Sequence, residues 1–312
     1  MYSRWFNVAV VVLWLSTMSW LVQDKVLPLL LIGEPPRLPE LVDSQLNEPP
    51  VGWEIFVDDK PHGWALSETR PGETGLRDIR GRMHFDEFPL SEVMPGWLQP
   101  LTKMMGKTID ELRIDARSVL SVDSFGHLIC FESSLRLNNI DELIGMRGTV
   151  DQGQIQVKIR AGGLSLEREF PYPANALPND FFSPQAALPG LYAGRSWSVP
   201  VYSPLIPSKN PIKIVHAKVE GLVPITHGDV VENVWLVVYR NDTGGDSGNQ
   251  RDQLGKLWVR RDGAVIKQQA KFSNTTVTFV RMDQQRTEEL IESAGDNWWM
   301  PDNQAWMDIN HD

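Results

Sequence analysis

The fold class of this chain is indicated most clearly by the stretch Gly145-Met-Arg-Gly-Thr-Val-Asp-Gln-Gly-Gln-Ile-Gln-Val-Lys-Ile-Arg160. In its second half apolar and polar residues alternate, which places Ile155, Val157 and Ile159 on one face of a strand. Asp151-Gln-Gly153 separates this strand from the residues before it, and short turns of this kind join antiparallel strands. The stretch therefore predicts an antiparallel β-hairpin with one buried face.

The same pattern of short strands and tight turns continues in both directions along the chain. Asp262-Gly263 is its strongest hairpin signal, and Asp58-Asp-Lys-Pro61 and Asp123-Ser-Phe-Gly126 mark two further turns. The remaining predicted strands are Val51–Val57, His62–Glu68, Leu76–Phe85, Leu112–Val122, His127–Leu137, Leu164–Phe170, Ser196–Tyr202, Ile212–Gly221, Val234–Arg240, Leu257–Arg261, Ala264–Phe272 and Thr275–Met282.

The sequence predicts few helices. Asp283–Ala294 is predicted as a helix that Asp283 caps and Gly295 ends, and Leu90–Lys107 has partly helical spacing. Because strands and helices do not alternate, a parallel doubly wound sheet is excluded. The predicted fold is mainly β, in the α+β class, with one large antiparallel sheet and a few short helices.

The N-terminal segment predicts a membrane anchor. Trp5–Gln23 carries no charge, and as a helix it would be roughly 28 Å long, close to the ~30 Å core of a bilayer. Phe6, Val12, Trp14 and Leu21 are the predicted membrane-spanning residues. A cleaved signal peptide is the main alternative, but the segment ends without the small residues of a cleavage site. A buried core helix is a third alternative.

The anchor sets the predicted organisation of the chain. Residues 1–25 are a cytoplasmic tip and the transmembrane anchor, 26–50 a proline-rich linker, 51–295 the β-rich domain and 296–312 a C-terminal tail that docks or is disordered. The positive charges that flank the anchor are nearly balanced, so they hardly orient it. The ordinary signal-anchor arrangement predicts a single-pass protein of the cell membrane, with an extracytoplasmic, periplasmic domain.

Charge and cysteine content exclude several classes of function. Thirty Lys and Arg against 40 Asp and Glu give a net charge of -10, which argues against nucleic acid as a partner. The chain has a single cysteine, Cys130, which allows no disulfide within the chain. A lipidation site would need a cysteine directly after the apolar segment, and Cys130 does not lie there.

Catalytic motifs are weak. Gly245-Asp-Ser-Gly248 matches the nucleophile sequence of chymotrypsin-type serine proteases, but it lies in a polar loop, and the upstream histidine context of that family is missing. The six histidines form no pair with metal-ligand spacing. We therefore predict no catalytic, cofactor-binding or metal-binding residues, and a hydrolase built around Ser247 is the weakest of the functional hypotheses.

Several tryptophan- and glycine-containing turns resemble a known group of proteins. These are Gly52-Trp53, His62-Gly-Trp64, Leu188-Pro-Gly-Leu191, Gly194-Arg-Ser-Trp-Ser-Val-Pro-Val201, Gly255-Lys-Leu-Trp-Val-Arg-Arg-Asp-Gly263 and Val265-Ile-Lys-Gln-Gln269. In this pattern the domain resembles exported bacterial proteins with a LolA-like or LppX-like sheet, including a related family of unknown function. The first two turns also resemble a domain found beside transglutaminase-like modules.

The resemblance implies a curved half-barrel with helices on its concave face and an apolar cavity for acyl chains. The candidate residues for lining such a cavity are Trp97, Leu101, Met104, Phe181 and Phe182. Two functions follow: a non-enzymatic binding module for a lipid or lipidated partner, or an accessory interaction protein of an envelope complex without a cavity. The sequence does not decide between them.

Overall fold

The protein is described by a computed structural model that covers residues 4–21, 33, 35–36, 38–46, 48–88, 112–137, 142–161, 164–172, 177–178, 184–202, 212–228, 230–241, 253–272 and 275–307. Fifteen strands in these residues form one sheet. They are β1 Val51–Val57, β2 Lys60–Pro71, β3 Arg77–Phe88, β4 Leu112–Val122, β5 Leu128–Leu137, β6 Glu142–Asp151, β7 Gln154–Ala161, β8 Leu164–Pro171, β9 Leu177–Pro178, β10 Ser196–Tyr202, β11 Ile212–His227, β12 Val230–Asn241, β13 Gln253–Val259, β14 Val265–Phe272 and β15 Thr275–Arg281.

The sheet consists of two meanders that meet at its centre. Its strand order is β8-β7-β6-β5-β4-β3-β2-β1-β15-β14-β13-β12-β11-β10-β9. We call β1–β8 the first meander and β10–β15 the second meander. The first and last long strands pair antiparallel, with Trp53 opposite Arg281 and Val57 opposite Val277. All neighbouring strands are antiparallel except β9 and β10, so the predicted large antiparallel sheet is confirmed.

The predicted hairpins are confirmed by their turns as well as by their strands. Gln152 and Gly153, between β6 and β7, have φ angles of 47° and 76°. Asp58 and Asp59, between β1 and β2, have φ angles of 46° and 66°. Two successive residues with positive φ form the type I′ turn, whose twist matches that of antiparallel strands.

One face of the sheet carries the core. Alternate residues of the strands are apolar and buried there, in a large cluster that includes Trp53, Ile55 and Trp197 and a smaller one that includes Ile155 and Val157. The indole nitrogen of Trp53 donates to the Ser67 hydroxyl at 3.3 Å, so this fully buried side chain has its polar atom satisfied. The opposite, polar face is called the outer face below.

Four helices accompany the sheet in the described residues: α1 Arg4–Leu21, α2 Leu38–Asp43, α3 Gln284–Ala294 and α4 Gln304–Met307. The predicted bounds of α3 are confirmed: the backbone N–H of Arg286 donates to the Asp283 carboxylate at 2.8 Å, and Gly295 ends the helix with a φ of 82°. Leu41 and Val42 of α2 are buried against the sheet, so this part of the predicted linker belongs to the domain. The predicted helix at Leu90–Lys107 lies outside the described residues.

The predicted transmembrane helix is not supported. Phe6, Val12, Trp14 and Leu21 do lie in a helix, α1, but within the described part of the chain no helix combines the length and the apolarity needed to cross a bilayer.

Candidate anion-binding groove

The C-terminal residues cross the outer face of the first meander. Helix α3 begins the crossing at β1, where Arg286 forms an ion pair with Glu54 and buried Thr287 lies against Gly52. Residues 295–307, which we call the strap, then pass over the following strands as far as β7. The sequence left open whether this tail docks, and the structure shows that it does.

Arginine side chains hold the backbone of this segment. They donate to its carbonyl oxygens: Arg82 to Ala294 at 3.5 Å, Arg117 to Met300 at 3.3 Å and Arg160 to Trp306 at 3.2 Å. The outer face thus binds a polypeptide chain through main-chain atoms. Such contacts do not depend on the sequence of the bound chain.

Side chains of the strap add charged contacts. Asp302 forms an ion pair with Arg136, and its backbone N–H donates to the Ser134 hydroxyl at 2.8 Å. Arg147 donates to the Asn303 side chain at 2.8 Å and to Glu132 at 2.6 Å. Arg136 therefore binds a carboxylate that belongs to a passing chain segment.

The tryptophans of the strap lie against arginines. Trp298 is buried, and the guanidinium of Arg80 lies 3.9 Å from the centre of the Trp299 ring. Trp306 has Arg147 at 4.4 Å and Arg160 at 4.9 Å from its ring centre. At these distances a guanidinium is attracted to the ring face by cation–π interaction.

An open cavity of about 570 Å³ lies beside the strap on β3, β4 and β5. We call it the arginine groove, and its lining residues are Arg82, His84, Asp86, Arg113, Asp115, Arg117 and Arg136. Strand register brings them together, because His84 is opposite Asp115, Asp115 is opposite Arg136, and Arg82 is opposite Arg117. Four arginines against two aspartates line the groove, an excess of two positive charges among these residues in a chain of net charge -10.

Asp115 organises the floor of the groove. Its carboxylate accepts from Arg82 at 2.6 and 3.1 Å and from Arg117 at 3.0 Å, and the His84 ring lies 3.5 Å away. Burial alone would raise the pKa of Asp115, but the nearby His84 ring, the hydrogen bonds from Arg82 and the charges of Arg82 and Arg117 outweigh it and lower the pKa to about 2. Asp115 is therefore a fixed anion that orients two guanidinium groups.

Arg113 is the lining arginine that has no hydrogen-bond or ion-pair partner among the described residues. It is exposed. Arg113 and Arg117 project from the same face of β4, on either side of Asp115. This arrangement leaves Arg113 able to bind an anion from outside the chain.

Close backbone approach positions His84. A Cβ on Gly63 would lie 1.9 Å from the carbonyl oxygen of His84, so β2 and β3 come together there only because Gly63 has no side chain. The next residue of β2, Trp64, stacks on the His84 ring at 5.5 Å between ring centres, and Arg82 lies 5.2 Å from the centre of the same indole.

The residues predicted to line an apolar cavity lie outside the described part of the chain, namely Trp97, Leu101, Met104, Phe181 and Phe182, as does the loop with Ser247. No cluster of His, Cys, Asp and Glu suited to a metal ion occurs in the described part of the chain. A Ser198–His216 pair at 3.2 Å joins β10 to β11, and the cross-strand neighbour of His216 on β12 is Arg240.

The arginine groove was missed by the sequence analysis. A signal existed, since arginines occupy alternate positions at Arg80 and Arg82 in one predicted strand, and Arg113 and Arg117 share a face of another. Alternation assigns such residues to an outer face but not to one another. Only the pairing of β3, β4 and β5 brings the guanidinium groups that line the groove, those of Arg82, Arg113, Arg117 and Arg136, together.

Comparisons with known proteins give a distant similarity. No protein-family profile matches this chain, and no curated protein matches it significantly. It is similar to a beta-barrel-like protein of the domain of unknown function DUF1849 from Brucella abortus, with 9% sequence identity and a TM-score of 0.41. The similarity covers 75% of this chain and 95% of that one. The LolA-like assignment and export stay predictions.

Proposed function

We propose that this protein is a non-enzymatic binding module that takes an anionic partner in the arginine groove. The observation that carries the proposal is the excess of positive charge in an open groove of an acidic protein. Guanidinium groups present planar pairs of donors that match carboxylates and phosphates, and a cavity of this volume is in the range of ligand sites.

The titratable groups of the groove support binding rather than catalysis. Asp115 is engaged by two arginines and has a lowered pKa, which suits a structural anion and not a general base that works near neutral pH. Arginine side chains supply positive charge and hydrogen-bond donors without taking part in proton transfer.

Of the two functions predicted from the sequence, the groove supports the non-enzymatic binding module, with an anionic partner in place of a lipid. Its lining is charged, whereas a site for an acyl chain needs an apolar lining. The strap gives further support, since the same outer face holds a polypeptide segment and its carboxylate. A lipid cavity stays a prediction that depends on residues outside the described chain.

The bilayer partner and the location at a cell membrane also stay predictions. Their support is α1, in which the side chains from Val10 to Leu21 are exposed, with Val12 at 56% and Trp14 at 58%. Pelleting of the full chain with neutral phospholipid vesicles tests them. We expect co-pelleting that is lost in a Val12→Asp, Trp14→Asp variant, and recovery of the wild-type chain in the supernatant would contradict them.

Titration of the full chain with poly-glutamate at low ionic strength tests the proposed function. Arg113→Gln should weaken binding about tenfold, which corresponds to about 1.4 kcal/mol. The matched control is Lys218→Gln, because Lys218 is an exposed cation on the outer face of the second meander. This variant should leave binding unchanged. Absence of binding, or equal weakening in both variants, would contradict the proposal.

A further inference from the structure

We infer that the anionic partner is an extended polypeptide segment with an acidic side chain at every second residue, bound alongside the strap. This inference rests on the proposed function and adds the chemical class and conformation of the partner. It follows from the spread of the arginines, from the donors that remain available and from the way the outer face already binds a chain.

The arginines are too widely spread for one small anion. Arg113 and Arg117 are four residues apart on β4, which places their Cα atoms roughly 14 Å apart at about 3.4 Å per residue. Arg82 and Arg136 lie on the two strands that flank β4, which are roughly 10 Å from each other at about 4.8 Å between neighbouring strands, and the register offsets the two residues by two positions along β4. A single carboxylate or phosphate group engages one or two neighbouring guanidinium groups, so a partner that uses the whole groove presents several acids.

The charge of the groove indicates how many acids are needed. Asp115 balances part of the charge of Arg82 and Arg117, and Asp302 of the strap pairs with Arg136. Arg113 is not balanced by any described residue. Counted with Asp302, the groove keeps one positive charge in excess, which Arg113 carries, so the segment needs at least one acid there. Its further acids would face the N–H groups of Arg82 and Arg117 that contact neither Asp115 nor the C-terminal segment.

The strap shows that this surface accepts polypeptide. Arg82 and Arg117 donate to main-chain carbonyls, and Ser134 accepts from a main-chain N–H. A chain bound beside the strap would meet the remaining N–H groups of these arginines, since a guanidinium has five donors and these contacts use only some of them. Free phosphate or a small carboxylate offers no equivalent of these main-chain contacts.

The spacing of acids follows from the geometry of an extended chain. Side chains at positions i and i+2 point to the same side, roughly 7 Å apart, while consecutive side chains point in opposite directions. Acids at alternate positions can therefore all face the groove. A block of consecutive acids directs about half of its charge away from it.

Two peptides of identical composition test the inference on the full chain. In one, glutamate and serine alternate; in the other, the glutamates form one block; both are labelled and titrated by fluorescence anisotropy. We expect the alternating peptide to bind at least fivefold more tightly. Arg113→Gln should weaken its binding about tenfold, and Lys218→Gln should not.

The outcomes separate this inference from the proposed function. Equal binding of the two peptides, or tighter binding of the block peptide, would overturn the alternating spacing and leave the anionic site in place. Binding of citrate or inorganic phosphate with neither peptide bound would overturn a polypeptide partner. Absence of binding by all four probes would overturn the inference and the proposed function together.

Discussion

The outer faces of the two meanders carry different cations. On β3–β7 the cations are mainly arginines, namely Arg80, Arg82, Arg113, Arg117, Arg136, Arg147 and Arg160, with Lys158 among them. On β11–β14 they are mainly lysines, namely Lys218, Lys256, Lys267 and Lys271, with Arg240 among them. The strap crosses the arginine face. Arginine offers a planar set of donors for carbonyls and carboxylates, whereas lysine is a strongly hydrated point charge, so the first meander has the chemistry of a recognition surface.

Replacing one tryptophan on each outer face should give the largest difference. Trp298→Ala should destabilise the protein by about 3–5 kcal/mol, because this strap residue is buried against the first meander. Trp258→Ala on the second meander should cost clearly less, since Trp258 is only half-buried and lies 5.1 Å from the Lys267 ammonium. Urea unfolding followed by circular dichroism measures both. Equal losses would contradict a docked strap.

Acid pH should weaken the first meander through Asp115. Its folded pKa, about 2, lies below the ordinary value of 3.8, so its contribution is complete above about pH 4 and is lost as the pH falls from there towards 2. Asp115→Asn should remove about 2 kcal/mol of stability near pH 7. Urea unfolding of both proteins at several pH values checks this. If the wild type and Asp115→Asn differ in stability by the same amount at pH 7 and at pH 2.5, ionisation of Asp115 does not stabilise the fold.

Exchange of arginine and lysine between the two faces should have a moderate effect. Arg147→Lys loses the paired contacts to Glu132 and the bond to Asn303, and should cost about 1 kcal/mol. Lys256→Arg on the second meander should stay within about 0.5 kcal/mol of the wild type. Thermal unfolding measures the loss of stability in both variants. An equal loss for Lys256→Arg and Arg147→Lys would contradict a special role for arginine on the first meander.

The distal end of the strap should show the smallest effect. Trp306→Ala removes the contacts with Arg147 and Arg160 and should cost about 0.5–1 kcal/mol. The opening should be local, so hydrogen exchange should accelerate in residues 302–307 and remain unchanged in β11 and β12. Uniform acceleration throughout the sheet would indicate a global role for Trp306 instead.

Local features of the fold were predictable from the sequence. The turns at Asp58-Asp59 and Gln152-Gly153 and both ends of α3 depend on residues within a few positions of one another, and all are found as predicted. The predicted transmembrane helix does not have this support, since no described helix is both long and apolar enough to cross a bilayer.

Long-range features were not predictable. The pairing of β1 with β15 joins residues more than two hundred positions apart, and nothing in either strand specifies its partner. The arginine groove depends on the register of three strands, and its strap comes from the far end of the chain. Because alternation gives the face of a residue but not its neighbours, the candidate site could not be assembled from the sequence.

The difference between the two faces can be measured on the arginines themselves. Side-chain Nε–H signals of the full chain, recorded by NMR while the alternating acidic peptide is added, report the groove and the second meander in one spectrum. We expect the Nε–H signals of Arg113, Arg117 and Arg136 to change their chemical shifts, and the signal of Arg240 to stay unchanged. Equal shifts at Arg240, or no shift at Arg113, would contradict the assignment of the arginine groove as the recognition surface.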